Sequence, residues 1–127
     1  MTELRLLVYG LLREGHSLSN LMAGAERLGV CRVPGFDLFD LGDYPGATPG
    51  SGELVGELYR LPSAASFEAL DEAEGVQDEP PLYRRELVSL TTAELGEPLQ
   101  AWLYVYARPL GDAPRIPTGD WLDRQRP

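Results

Sequence analysis

The stretch LQAWLYVYA, residues 99–107, is apolar on both faces. Side chains on a strand alternate from one face to the other. Leu99, Ala101, Leu103 and Val105 therefore face one way, and Trp102, Tyr104 and Tyr106 the other. A strand of this kind needs cover on both sides, which a sheet obtains from a second layer or by curling onto itself. Around it the chain offers further strand-like runs at 4–9, 30–41, 52–61 and 82–90. Two stretches carry helical spacing. Ser17 is a good N-cap for a first helix, in which Leu18, Leu21, Met22, Ala25 and Leu28 recur until Gly29. Ser63 can cap a second, which runs to Glu74 and stops at Gly75. Between the second and third runs lies LGDYPGATPGSG, whose Gly and Pro content argues for an ordered functional loop. The tail from Arg108 is proline-rich and is expected to cross the surface irregularly. Strands outnumber helices without strict alternation. The expected fold is α+β, a single domain over 1–127 with a curled, barrel-like mixed sheet and two main helices.

Composition removes several chemistries. The 127 residues carry 20 acidic and 11 basic side chains, a net charge of −9, a poor match for a polyanionic phosphate backbone. Every basic residue is an arginine. Without lysine there is no side-chain Schiff base and no phosphate-gripping P-loop lysine. Gly10 to Ser17, GLLREGHS, has His16 where that lysine would stand. His16 and Cys31 are the only residues of their kinds, so neither a disulfide within the chain nor a conventional metal site is expected. No apolar run is long enough to span a bilayer, and MTELRLLVYG lacks a basic n-region and a cleavage site. The expected location is the cytoplasm, without cofactor, nucleic acid or membrane partner, and the chain is compatible with a monomer.

Three signals carry chemistry. Glu74 stands four residues after Leu70 and seven after Phe67, on the same helical face as both. A carboxylate at the end of an inward stripe is desolvated, and its pKa rises toward the range where it can take and give a proton near neutrality. The alternative is a helix-end glutamate that snorkels to water. Asp71 and Glu72 share the helix, with Glu72 directed away from the stripe. The second signal is VYGLLREG, a strand running into a glycine turn whose consecutive amides can form an anion-binding nest. The third is the aromatic set Tyr83, Trp102, Tyr104 and Tyr106, whose polar tips either line a pocket or meet water.

The ordered set VYGLLREG, LGDYPGATPGSGELVGELYRL, LDEAEG, YRRELV, AWLYVYARPL and GDWLDR resembles the gamma-glutamylcyclotransferase-like (AIG2-like) superfamily, in particular its bacterial YtfP-type branch. The resemblance spans nearly the whole chain and implies a small mixed domain on a five- or six-stranded barrel-like sheet. It further implies that Tyr9, Gly10, Leu11 and Leu12 present backbone amides to substrate and that Glu74 is the general acid/base. Tyr83 and Tyr104 correspond to pocket tyrosines. The family turn usually reads Tyr-Gly-Ser or Tyr-Gly-Thr before Leu, whereas Leu11 has no hydroxyl. The implied reaction cyclises a gamma-glutamyl amine or peptide to 5-oxoproline with release of the amine and without a cofactor. Two alternatives remain on sequence grounds: a non-catalytic binding module for an amino-acid-like anion, and a structural or interaction domain, which would leave an inward Glu74 unexplained.

Overall fold

The computed structural model describes residues 4–10, 22 and 24–123 apart from 92–97. The elements are β1 (Arg5–Val8), β2 (Glu26–Asp40), β3 (Pro45–Arg60), α1 (Ser66–Ala73), β4 (Tyr83–Thr91), β5 (Pro98–Tyr106) and β6 (Arg115–Ile116), followed by a 3-10 turn at Trp121–Asp123. Six strands form one mixed sheet in the order β4-β5-β1-β3-β2-β6. The β1–β5 pair is parallel and every other pair is antiparallel. Strands β2 and β4 are not neighbours in that order, yet they pack together, so the sheet curls into a half-barrel.

Curling gives β5 the two-sided cover that its sequence demands. Ala101, Leu103 and Val105 enter the interior of the curl with Leu7, Val33, Leu54 and Leu58. Trp102, Tyr104 and Tyr106 face outward with Leu6, Val8 and Tyr59, where Phe67 and Leu70 of α1 cover them. β1 lies between β5 and β3 and alternates in the same way, with Leu7 inside the curl and Leu6 and Val8 beneath the helix.

Local signals misplace several boundaries. The expected helix from Ser17 lies mostly outside the described residues, and its last residues, Glu26 to Leu28, belong to β2. Gly29 there marks a register shift in the ladder and ends no helix. Pairing with Leu58, Tyr59 and Arg60 of β3 overrides the local helical spacing. α1 is the one α-helix among the described residues. The stretch expected to be a loop is largely strand: β3 begins at Pro45, and Gly46 to Pro49 pair with Phe36 to Phe39, so only 41–44 turn. Ser63 does not cap α1 with its side chain. Ala65 is the N-cap, and the carbonyl of Ser63 accepts the Ser66 N–H. The tail is more ordered than expected: Ile116 pairs with Leu38, and Trp121 is buried in the interior of the curl. No helix among the described residues is long and apolar enough to cross a membrane.

Leu103, with none of its surface exposed, sits on β5 inside the curl. Leu103→Ala should lower unfolding stability by about 2–5 kcal/mol in urea titration. A loss below about 1 kcal/mol would show that the interior collapses around the deletion.

Candidate functional site

The helix end fixes Glu74. Gly75 adopts a left-handed φ of 67°, the Val76 N–H reaches the Asp71 carbonyl at 3.0 Å, and the Gly75 N–H reaches the Glu72 carbonyl at 3.2 Å. This is a Schellman stop with Glu74 as its C-cap. The Gly75 carbonyl then accepts the Leu82 N–H at 3.0 Å, which ties the helix end to the start of β4. Glu74 therefore continues the Phe67–Leu70 stripe as a held position.

Glu74 borders a cavity of about 120 Å³ walled by Tyr9, Gly10, Tyr44, Pro45, Tyr83 and Tyr104, with Leu7, Val8, Ala73 and Leu82 completing it. Among the described residues no hydrogen bond or ion pair engages its carboxylate. Desolvation in this apolar, phenol-lined space pushes its pKa from 4.5 up to about 7. The residue as a whole is half-buried, and no basic residue stands in the last turn of α1 to offset the charge.

Three phenols around it are engaged elsewhere. Tyr9 donates to the Tyr104 carbonyl at 2.5 Å and accepts the Ala47 N–H at 3.2 Å. Tyr83 donates to the Pro45 carbonyl. Tyr104 donates to Asp71 Oδ1 at 2.6 Å, and Arg85 grips the same carboxylate through Nε at 3.0 Å and a terminal nitrogen at 3.2 Å. The Arg85 guanidinium lies 3.9 Å from the centre of the Phe67 ring and 4.8 Å from that of Trp102. Burial raises the pKa of all three phenols far above the usual tyrosine value, so they remain protonated donors to these partners. They form a frame, in which the hydroxyls of Tyr83 and Tyr104 donate to protein partners.

Tyr9, Gly10, Glu74, Tyr83 and Tyr104 thus share one cavity, while Leu11, Leu12 and His16 lie outside the described residues. At Gly10 a Cβ would stand 2.6 Å from the Pro45 ring, so only glycine allows the turn after β1 to approach β3 this closely. Sequence reasoning missed Tyr44 and Pro45, which wall the cavity from the turn between β2 and β3. The DYPG tetrapeptide, with its expected ordered loop, was the available signal. Asp71 was undervalued, because its link to Tyr104 and Arg85 joins residues 33 and 14 positions away. No group of three or more His, Cys, Asp or Glu among the described residues is arranged to hold a metal ion.

The raised carboxyl makes stability fall with pH. Below about 4.5 Glu74 is protonated in both the folded and the unfolded chain. Between about 4.5 and about 7 only the folded chain keeps the proton, and above about 7 the folded chain carries the full cost of the buried charge. Glu74→Gln should therefore match the parent in stability at pH 4 and exceed it at pH 8 by on the order of 3 kcal/mol in denaturant titrations. Equal pH dependence in the two proteins would show a solvated side chain.

Comparison with known proteins agrees with this architecture. The family model described as "Gamma-glutamyl cyclotransferase, AIG2-like" matches residues 6–123. The gamma-glutamylcyclotransferase family protein YtfP of Escherichia coli K12 is 37% identical over 123 residues, which is 97% of this chain and 100% of that protein. The solution structure of E. coli YtfP superimposes with a TM-score of 0.71 at 38% identity, covering 94% of this chain and 97% of that one. A mouse AIG2-like protein gives a TM-score of 0.69 at 27% identity, covering 84% of this chain and 79% of its own. With matches that run nearly end to end, the chain belongs to the AIG2-like gamma-glutamyl cyclotransferase family.

Proposed function

We propose that this chain is a cofactor-independent gamma-glutamyl cyclotransferase that converts a gamma-glutamyl amine or peptide to 5-oxoproline and releases the amine, with Glu74 as general acid/base. The observation that carries the reading is a carboxylate near pKa 7, without a protein partner among the described residues, in a cavity of small-molecule size.

The chemistry needs one group that works in both directions. The substrate α-amine is mostly ammonium at neutral pH. Glu74 removes one proton from it, the amine nitrogen attacks the γ-carbonyl carbon, and that nitrogen gives up a second proton as the five-membered lactam closes. The bond to the leaving nitrogen breaks as Glu74 relays the protons to it in turn, and it departs as an ammonium. Atoms balance without water, and the carboxylate ends as it began. A carboxyl at its ordinary pKa would be too weak a base for the first transfer, and one near 7 is matched to both. The substrate supplies its own nucleophile, so the protein contributes folding of the chain into ring geometry and exclusion of solvent. Tyr9 and Gly10 line the cavity beside Glu74. With Leu11 and Leu12 they are proposed to present amides to the carboxylate or the developing oxyanion. The tyrosine frame holds this geometry, with Tyr83 and Tyr104 as walls. A small-molecule partner in the cytoplasm, with neither nucleic acid nor membrane, suits the reading.

Two measurements test it. Glu74→Gln should lower turnover by at least about 10²-fold while 5-oxoproline still binds, because the amide keeps the shape but accepts no proton. Activity within a few-fold of the parent would remove Glu74 from the mechanism. In oxygen-18 water the parent should yield unlabelled 5-oxoproline. Glutamate labelled in its γ-carboxylate as primary product would establish hydrolysis instead. Absence of both products across a broad gamma-glutamyl panel would favour the binding-module reading, with Leu11 in place of the family hydroxyl.

A further inference from the structure

We propose that Tyr44 holds the α-carboxylate of the gamma-glutamyl group through its phenolic hydroxyl and so selects substrates that carry that carboxylate. This rests on the cyclotransferase reading above.

Four phenols wall the cavity: Tyr9, Tyr44, Tyr83 and Tyr104. Three have their hydroxyls committed, to the Tyr104 carbonyl, the Pro45 carbonyl and Asp71. Tyr44 is the exception: among the described residues nothing accepts from or donates to its hydroxyl. Its backbone, by contrast, is fixed. The Leu41 N–H donates to the Tyr44 carbonyl at 3.1 Å, and Asp40 Oδ1 accepts the Gly42 N–H at 2.8 Å, which pins the turn. The ring sits 6.3 Å from that of Tyr83, tilted by 57°, and the residue is half-buried. A positioned phenol with an unspent O–H at the edge of a cavity is a donor awaiting an acceptor.

The ligand's charge identifies that acceptor. A gamma-glutamyl group brings one permanent anion, its α-carboxylate, into a space where Glu74 is the resident base. No arginine, lysine or histidine is among the described residues that line the cavity. The Arg85 guanidinium, packed against Phe67 and Trp102, already grips Asp71. A carboxylate entering such a site must be met by neutral donors, since leaving it unpaired costs more than a lost hydrogen bond. It must also stand away from Glu74, because two carboxylates repel at short range. Tyr44 reaches the cavity from the β2–β3 turn and Glu74 from the end of α1, so the two can take the ligand's carboxylate and amine separately. The contact exists equally in the substrate and in the transition state, so it acts on binding and leaves the chemical step alone.

The test is Tyr44→Phe, which keeps the ring and removes only an O–H that no group among the described residues uses. Its thermal unfolding should coincide with the parent's. Binding of 5-oxoproline and of 2-pyrrolidone, the same lactam without the carboxylate, is followed by NMR titration, which reads millimolar affinities. The expected result is a loss of about tenfold or more for 5-oxoproline with 2-pyrrolidone binding unchanged. In turnover, KM should rise by a similar factor with kcat retained. Unchanged 5-oxoproline affinity, an equal loss for both lactams, or a fall in kcat alone would each overturn the role of Tyr44 while leaving the cyclotransferase reading intact. Failure of the parent to bind either lactam would overturn that reading, and this one with it.

Discussion

Removing the Glu74 carboxylate from water is what the rest of the site is organised around. A glutamate ending a helix ordinarily reaches solvent at little cost. Here the left-handed Gly75 closes a Schellman stop, the Gly75 carbonyl is bonded to Leu82, and the helix stripe of Phe67 and Leu70 is anchored against the sheet. The side chain is left facing phenols. Because three of those phenols donate to other groups, they exclude water without stabilising the anion, and the carboxyl titrates near neutrality. A single free donor to that carboxylate would pull its pKa down and weaken it as a base.

The fold supplies this arrangement through the curl of the sheet. β5 packs on both faces, so Tyr104 can bond Asp71 of α1 with its side chain while its carbonyl accepts the hydroxyl of Tyr9, the residue after β1. The parallel β1–β5 pair brings the end of β1 beside the residues that carry this bond. The close approach of Gly10 and Pro45 then brings the β1 turn against the start of β3, where the Pro45 carbonyl holds Tyr83. Helix, turn and three strands are linked by four phenol hydrogen bonds. The unfavourable placement of Glu74 is offset by the hydrogen-bonded frame around it and not, among the described residues, by a partner of its own.

What was legible in the sequence was local or one strand long. Glu74 could be placed from Phe67 and Leu70 because helix periodicity carries over two turns, and β5 could be read as doubly covered from alternation alone. Gly10 and Tyr9 followed from a strand-to-glycine turn. What was not legible depended on distant partners. Leu28 and its predecessors have helical spacing, but pairing with β3 makes Glu26 to Leu28 strand. The Gly and Pro residues of 45–50 look like loop but are strand because β2 offers a ladder and Gly46 leaves room for the Tyr106 ring. Tyr44 carries no periodic signal at all, and the commitment of the other phenols is invisible until the sheet has curled. The resemblance of the ordered motifs to the AIG2-like family added the expectation of a five- or six-stranded barrel-like sheet, and the strand order came only with the structure.

Glu74 is protonated and ionised in comparable amounts near neutral pH because its carboxyl is desolvated and has no partner among the described residues. Isotope-edited NMR of the chain labelled with ¹³C at glutamate carboxyls, with Glu74→Gln to assign the resonance, reads this directly across a pH titration. A midpoint of about 7 is expected for Glu74. A midpoint near 4.5, that of an ordinary solvated glutamate, would contradict it.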